Sequence, residues 1–324
     1  MTILAFPDTT GKPTDGSFTY EENGVIYSWT GEYWAANNAQ GFDQRYVNAD
    51  GDQMTGDLTV PSLNGGPLAG LRNQLINGDF RIAQRGDDIT TGAGSEYTTD
   101  RFRVRAGTRV RQGGDWGSSV GLGYTLRLER AGGTWIRQGI ELNRSGRKNY
   151  TGTYTLSFYT NDVVANLTPT VYYADSVDPR PNQVAVTVSN FGEIVAADAD
   201  GYRRVACQVD FDSANPAASN LCCIVDITST SSDFHLAGIQ LEPGSQPTPF
   251  EHRPIGLELQ LCQRYYQKLQ VRRINGETNW YTFPTKMRIR PDADASAITT
   301  IYDDSFGVVQ GAAGRLDAEF DAEL

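Results

Sequence analysis

Two groups of aromatic and charged side chains have the chemistry of a sugar-binding site. A planar aromatic ring offers a face on which a sugar stacks, and neighbouring carboxylate, amide or guanidinium groups can reach the sugar hydroxyls. The glycine-rich stretch QGGDWGSSVGLG and the residue before it supply the first group, Trp116, Asp115 and Arg111. The stretch NWYTFPTKMRIR supplies the second group, Trp280, Tyr281 and Arg288. Both are candidate ligand sites, whereas Trp135, in TWIRQGIE, is expected to be a strand residue packed inside a β-sandwich.

The second group has two interpretations. Its basic residues lie beside aromatic ones, a combination that suits anionic surface sugars such as lipopolysaccharide through charge-assisted hydrogen bonds and stacking. Alternatively, these cations pair with the acidic tail of the same or a neighbouring chain, which would favour closure of an oligomer at this end. The tail acids are Asp317, Glu319, Asp321 and Glu323.

Catalysis has little support in the sequence. Glycoside cleavage needs two carboxylates about 5 to 10 Å apart across a bound sugar, and the spacing of the 39 Asp and Glu residues nominates no pair. Neither His235 nor His252 lies in a recognisable motif, and GSS at 117–119 is not the GxSxG nucleophile elbow. Phosphate-binding and dinucleotide-binding fingerprints are also missing. We therefore expect binding rather than turnover.

The cysteine spacing and the net charge argue against metal binding and nucleic-acid binding. Cys207, Cys222, Cys223 and Cys262 show no CxxC spacing, so neither a zinc site nor another cofactor is expected. Free buried thiols in a reducing cytoplasm are the expectation, with one of the adjacent pair 222 and 223 in the core and the other facing away. The net charge of −11 argues against a nucleic-acid partner. We expect neither a signal peptide nor a membrane span, since no apolar run approaches ~18 residues.

Residues 1–40 predict a small aromatic β-meander with Asn-Gly and Thr-Gly turns. About 40 residues rarely hold a stable core alone. Two interpretations are open: an attachment unit that buries its aromatic face against a partner or against other copies of this chain, or a plain three-stranded cap. The attachment interpretation uses Tyr20, Tyr27, Trp29 and Trp34.

Residues 41–72 predict a short shaft segment followed by a linker. The stretch FDQRYVNADGDQMTGDLTV is too short and too rich in glycine to fold alone, and its apolar side chains need a surface to cover them. Three chains could provide that surface. The residues expected at such a trimer contact are Tyr46, Val47, Met54, Leu58 and Val60. The aspartates of this stretch lack the spacing of an EF-hand, so they are interpreted as turn residues.

Residues 73–252 predict an antiparallel jelly-roll β-sandwich. Short strands recur between turn residues, and period-two alternation places Tyr124, Leu126 and Leu128 on one face of a sheet. Tyr154, Leu156 and Phe158 form a second such set. About nine strands without an intervening helix are typical of this fold.

Residues 253–324 predict one helix followed by a C-terminal β module. The proline-rich stretch 243–254 should be an ordered extended exit from the sandwich. After Gly256, the residues up to Leu269 include no further Gly or Pro and space Leu257, Leu261, Tyr265 and Leu269 four apart, with Cys262 and Tyr266 beside them. This spacing predicts a helix of about four turns with one apolar face.

Several of these segments resemble the tail fibre and receptor-binding proteins of tailed bacteriophages. The resemblance is carried by IQLEPGSQPTPFEHRP paired with ELQLCQRYYQ, by NQLINGDFRIAQRG followed by YTTDRFRV at the sandwich entry, and by YTFPTKMRIRP near the C-terminus. The stretch 42–60 is similar to a short tail-fibre repeat, and residues 1–40 to a module of cyanophage-like phages. INGDF and AGIQLEPGS also resemble carbohydrate-binding modules with a jelly-roll sandwich.

The resemblance implies a homotrimeric virion protein, synthesised in the host cytoplasm and released by cell lysis. Its N-terminal module would bind a phage tail or baseplate protein, and the chain would attach the phage to host surface polysaccharide or lipopolysaccharide without cleaving it. Two alternatives stay open. One is a structural adaptor that joins the tail to another fibre, and the other is a glycan depolymerase.

Overall fold

The computed structural model of the 324-residue chain describes residues 6–22, 25–36, 71–114, 121–142, 150–217, 219–273, 279–288, 291–293, 298–301, 304–308 and 314–323. The chain divides into two compact units, Met1–Val60 and Pro61–Leu324. Antiparallel strands dominate both, and the described residues include one α-helix. The prediction of a mainly β protein with one helix is confirmed. Within the described ranges, no helix has the length and apolar character needed to cross a membrane.

The first unit contains the predicted meander. Its strands, in the order β1-β2-β3, are β1 (Thr19–Glu22), β2 (Val25–Trp29) and β3 (Trp34–Ala36). The pairs Tyr20–Tyr27 and Trp29–Trp34 lie opposite each other across the ladders. Aromatic cross-strand pairs of this kind stabilise a small sheet.

The second unit is built around one continuous twelve-stranded antiparallel sheet, in the order β4-β7-β8-β15-β10-β13-β12-β11-β14-β9-β6-β5. The strands are β4 (Asp88–Thr90), β5 (Glu96–Tyr97), β6 (Arg103–Val104), β7 (Arg109–Gly113), β8 (Thr125–Glu129), β9 (Thr134–Glu141), β10 (Thr153–Thr160), β11 (Leu167–Ala174), β12 (Val184–Val195), β13 (Arg203–Asp210), β14 (Cys222–Ser229) and β15 (Asp233–Pro243).

The twelve strands form two layers that share β12. This strand pairs with β11 through Val184, Ala185 and Val186, and from Thr187 onward it pairs with β13. We call β4-β7-β8-β15-β10-β13 the first sheet and β11-β14-β9-β6-β5 the second sheet. Inward-facing side chains of both form one core, which confirms the predicted jelly-roll sandwich.

The core follows the predicted alternation. Leu126, Leu128, Leu156 and Phe158 are fully buried. Tyr124, predicted on the same face as Leu126, instead lies before β8 and is exposed, because strand geometry begins only at Thr125. Each large apolar side chain buried in this way stabilises the fold by roughly 1.5 to 3 kcal/mol.

The helix α1 (Ile255–Gln263) is shorter than predicted. Tyr266 already belongs to strand β16 (Tyr266–Arg273), where it pairs with Asp321. The predicted apolar face is present only in part: Cys262, Tyr265 and Tyr266 are buried, whereas Leu257 is 37% exposed and the other buried helix residue is the charged Glu258. Pairing with a strand about fifty residues away outweighs the local helical period at Tyr265 and Tyr266, which are also good strand residues.

The remaining strands form two three-stranded sheets, β16-β21-β18 and β17-β20-β19. Their members after β16 are β17 (Asn279–Thr282), β18 (Asp292–Ala293), β19 (Ile298–Ile301), β20 (Ser305–Val308) and β21 (Gly314–Asp321). The four-part division at residues 40, 72 and 252 stays a prediction.

The segments before and after the sandwich meet in a buried polar cluster. The Arg253 guanidinium donates to the carbonyls of Asn73 and Leu75, the latter at 3.0 Å, and lies 3.2 Å from the Glu258 carboxylate. Glu258 also accepts from the backbone N–H of Asn77. Because the cluster connects residues 73–77 to the start of α1, the residues of both motifs that meet here have a structural role.

All four cysteines are free and buried. Cys223 packs in the main core, whereas Cys222 faces the other side of β14 and packs with Ala174, Val177 and Ile224. The predicted alternation is therefore present, and the connection after β11 covers the side away from the core. Burial raises the pKa of Cys207 and of Cys222 to about 12, so these thiols stay protonated and unreactive.

Candidate functional site

Of the first predicted ligand group, only Arg111 lies within the described residues. It projects from the outward face of β7, where its Nη2 lies 2.7 Å from Glu129. Arg127 continues this ladder of ion pairs, at 3.1 Å from Glu129 and 2.5 Å from Asp233. Trp116 and Asp115 lie outside the described residues, so a ligand site in that loop stays a prediction.

The residues of the second predicted group differ in their surroundings: the Trp280 ring is exposed, whereas Arg288 makes structural contacts. Trp280 on β17 is 56% exposed, and its neighbour Tyr281 is half-buried. The Arg288 guanidinium donates to the carbonyls of Ala322 and Glu323 at 3.0 and 3.2 Å, and lies 3.6 Å from Glu141. Arg288 therefore fastens the C-terminal segment to the sandwich.

Three of the four tail acids, Glu319, Asp321 and Glu323, pair with cations that the sequence analysis did not name, and the side chain of Asp317 lies outside the described residues. Asp321 lies 2.9 Å from Arg85, and Glu319 lies 2.8 Å from Lys268. Glu323 accepts a hydrogen bond from Arg101. These pairs connect the tail to the start of the sandwich and to β16.

The four predicted attachment residues share one aromatic cluster with Phe6 and Phe18. Phe6 lies with its ring centroid 5.0 Å from Tyr27, 6.0 Å from Tyr20 and 5.3 Å from Trp34, and Trp29 lies 5.7 Å from Trp34. All four rings are half-buried in the first unit. This geometry is compatible with both the attachment unit and the plain cap. The predicted trimer-contact residues Tyr46, Val47, Met54, Leu58 and Val60 lie outside the described residues.

A groove of about 340 Å³ opens where β12 leaves β11. We call it the β11–β12 groove; it is lined by residues 167–172 of β11 and by Ala185, Val186, Val188 and Phe191 of β12. It forms because β12 turns away after Val186 to pair with β13. Among the described strands, none takes its place beside the first half of β11.

The outward face of the second sheet carries aligned polar residues beside this groove. The ladders place Thr170 opposite Asp226 and Asp226 opposite Arg137. Thr168 and Trp135 lie in the next row, on either side of Thr228. Hydroxyl, carboxylate and guanidinium groups therefore lie next to each other on one face of the sheet, where Arg137 and Asp226 are buried.

Trp135 is a strand residue, as predicted, but it does not pack inside the sandwich. It is half-buried on the outward face of β9, because the alternation that turns Ile136 inward turns Trp135 outward. The Arg137 guanidinium lies 3.5 Å from the Trp135 ring centroid. One part of the ring is thus covered by a cation.

Five charged residues form what we call the arginine cluster, consisting of Arg103, Arg137, Arg180, Asp178 and Asp226. Asp226 Oδ2 accepts from Arg137 Nε at 2.6 Å and from Arg180 Nη1 at 3.1 Å. Asp178 lies 3.5 Å from Arg137 and 3.9 Å from Arg103. Burial lowers the pKa of Arg137, and the neighbouring Arg180 lowers it further, although Asp226 acts in the opposite direction. The cluster holds three guanidinium groups and two carboxylates.

Tyr172 connects the groove to the arginine cluster. Its half-buried side chain lines the groove, and the Arg180 guanidinium lies 4.8 Å from its ring centroid. A sugar ring in the groove would meet Tyr172 as a stacking surface, the hydroxyls of Thr168 and Thr170 as polar partners, and an apolar wall from β12. This arrangement can bind a saccharide.

The comparisons with known proteins found similar folds at low similarity. Neither the protein-family models nor the curated proteins include a match to this chain. The enzymatically active domain of tailspike protein 4 from bacteriophage CBA120 aligns with 55% of this chain at 11% identity and a TM-score of 0.32, over 22% of its own length. TmCBM61, solved with β-1,4-galactotriose, aligns with 53% of this chain at 14% identity and a TM-score of 0.28, over 99% of its own length.

A third similar structure is the CBM22-1 and GH10 modules of xylanase 10B from Clostridium thermocellum, complexed with xylohexaose. It aligns with 49% of this chain at 10% identity and a TM-score of 0.29, over 30% of its own length. This chain thus spans less than a third of the tailspike domain and of the xylanase modules. At these identities and TM-scores, the alignments assign no function to this chain.

The β11–β12 groove was missed by the sequence reasoning, although one signal was present. The stretch TPTVYYA, residues 168–174, was included only among the recurring short strands. Its period-two pattern puts Thr168, Thr170 and Tyr172 on one face and Tyr173 on the other, and the structure buries Tyr173 completely. An aromatic ring aligned with two hydroxyls on an outward face is a recognisable pattern. Whether the β11–β12 groove is open depends on the path of β12, and no local sequence pattern predicts that path.

Proposed function

We propose that this chain is the subunit of a homotrimeric phage tail fibre that binds a glycan on the host surface without cleaving it. The observation that supports glycan binding is the β11–β12 groove, in which Tyr172 lies beside two threonine hydroxyls. Its volume of about 340 Å³ lies in the range of small-ligand sites.

Binding without turnover is supported by the lining of the groove. No Asp or Glu is among the described residues that line it. Asp226, one strand away from Thr170, is held by the guanidinium groups of Arg137 and Arg180. Asp178 is likewise paired with two arginines. Glycoside hydrolysis requires a pair of carboxylates flanking the bond that breaks.

The virion role rests on the resemblance of the quoted segments to phage tail fibres. In this proposal, residues 42–60 hold three chains together, and the aromatic cluster of Tyr20, Tyr27, Trp29 and Trp34 attaches the fibre to a tail or baseplate protein. The protein is then carried on the tail of the virion. The groove faces the host polysaccharide or lipopolysaccharide.

Replacing Tyr172 with alanine is expected to weaken binding to host cells about tenfold, since it removes the stacking surface of the groove. The measurement is saturable binding of labelled full-length protein to intact cells, with competition by phage. Tyr124→Ala is the matched control, because Tyr124 is an exposed tyrosine outside the groove lining. Equal affinities for the two variants would exclude the groove and direct the search to Trp116 and Trp280.

The trimer is tested separately by measuring the molecular mass of the protein in solution. Light scattering at micromolar concentration is expected to give three times the 35.5 kDa of one chain. A Leu58→Asp variant is expected to lower that mass, because a charge would be buried at the contact of three chains. A monomeric mass for the unmodified protein would exclude the trimer. A trimer that binds no cell would favour the structural adaptor.

A further inference from the structure

Arg180 lies at the junction of the β11–β12 groove and the arginine cluster. It belongs to the connection between β11 and β12, and its side chain is 24% exposed. Arginine carries five N–H donors in a planar fork. Among the described residues, the side-chain hydrogen bond of Arg180 goes to Asp226, through Nη1. The other donors of the fork make no side-chain hydrogen bond within the described residues, and the guanidinium lies 4.8 Å from the Tyr172 ring centroid.

The arginine cluster also has unbalanced charge. Arg137 and Arg180 both donate to Oδ2 of Asp226, and Asp178 is shared between Arg103 and Arg137. Three cations therefore face two carboxylates, on a chain whose net charge is −11. An anionic polymer is repelled by most of such a protein, so a local surplus of positive charge determines where it can bind.

From this geometry we propose that the groove selects a sugar that bears a carboxylate, with Arg180 as the residue that binds the carboxylate. The inference rests on the glycan-binding function proposed above. A guanidinium fork matches the two oxygens of a carboxylate, and it can form two parallel hydrogen bonds to them. The sugar ring lies against Tyr172, and its carboxylate points toward the arginine cluster and balances its charge.

The experiment compares acidic polymers with their neutral methyl esters. The probes are immobilised polygalacturonate, alginate and hyaluronate, each beside its methyl-esterified form, and the protein is the full-length chain. We expect binding to at least one acidic polymer, and at least about tenfold weaker binding to its ester. Arg180→Gln is expected to lose a similar factor on the acidic polymer and to change little on the ester.

Two variants separate failure of this inference from failure of the binding function. Arg109→Gln removes the same charge from the ion pair with Asp88 on the first sheet, and it is expected to leave binding within about twofold. Equal binding to acid and ester that is lost in Tyr172→Ala would overturn the carboxylate preference and support the groove. Binding that survives Tyr172→Ala would overturn both. No binding to any of the acidic polymers by a protein that still binds host cells would overturn the carboxylate preference alone.

Discussion

Replacing Glu323 with glutamine is expected to lower the free energy of unfolding of the second unit by about 3 to 5 kcal/mol. The Glu323 carboxylate accepts from the Arg101 guanidinium, and both side chains are almost completely buried. Arg101 also donates to the carbonyl of Gly139, and its guanidinium carbon Cζ lies 3.3 Å from the Tyr265 ring centroid. Removing the carboxylate charge leaves a guanidinium that is shielded from water without its counterion. Chemical denaturation in urea measures the loss.

An exposed ion pair on the neighbouring ladder is the matched control. Lys268 lies 2.8 Å from Glu319, and their side chains are 47% and 41% exposed. Because solvent screens such a pair, Lys268→Ala is expected to cost less than about 1 kcal/mol. The double variant Arg101→Met with Glu323→Leu is expected to recover part of the loss, since it removes both buried charges. A cost below 1 kcal/mol for Glu323→Gln would mean that water reaches Arg101.

The strands of the sandwich were predictable because their signal is local. Alternation with a period of two identifies a half-buried strand within a few residues, and it placed Leu126, Leu128, Leu156 and Phe158 correctly in the core. The end of α1 was not predictable in this way. Tyr266 lies in β16, where it pairs with Asp321 of β21. The sequence around residue 266 gives no information about that distant partner.

The groove and the arginine cluster could not be predicted from the sequence, because each brings together residues that are far apart in the chain. Arg180 meets Asp226, 46 residues further along the chain, because β11 and β14 are neighbours in the sheet. Sequence reasoning instead selected aromatic residues in loops or next to basic runs. The basic residue selected beside Trp280 and Tyr281, Arg288, is bound to the C-terminal segment. Residue type alone does not distinguish an arginine that fastens two segments from one that lies at the edge of a groove.

Gly78, in the INGDF stretch, is expected to tolerate no side chain without a shift of the backbone around it. A Cβ atom at this position would lie well inside the contact distance of the Ile239 carbonyl oxygen and 3.0 Å from the Asn73 amide nitrogen Nδ2. Neither neighbour can move freely. The Ile239 N–H donates to the Gly78 carbonyl at 2.8 Å, and Asn73 Nδ2 donates to the Ile239 carbonyl at 3.0 Å. Gly78→Ala must therefore push residues 73–78 away from β15.

The expected cost of Gly78→Ala is about 3 kcal/mol, the upper part of the usual range for overpacking. Gly94→Ala is the control, because a Cβ atom there meets no other atom within 4 Å and the backbone is outside the left-handed region. That change is expected to be neutral, or to stabilise by up to about 1 kcal/mol through the unfolded chain. Equal urea midpoints for the two variants would mean that the INGDF stretch does not pack against β15. A selective loss at Gly78 would support the close approach of the two backbones as the reason for glycine at this position.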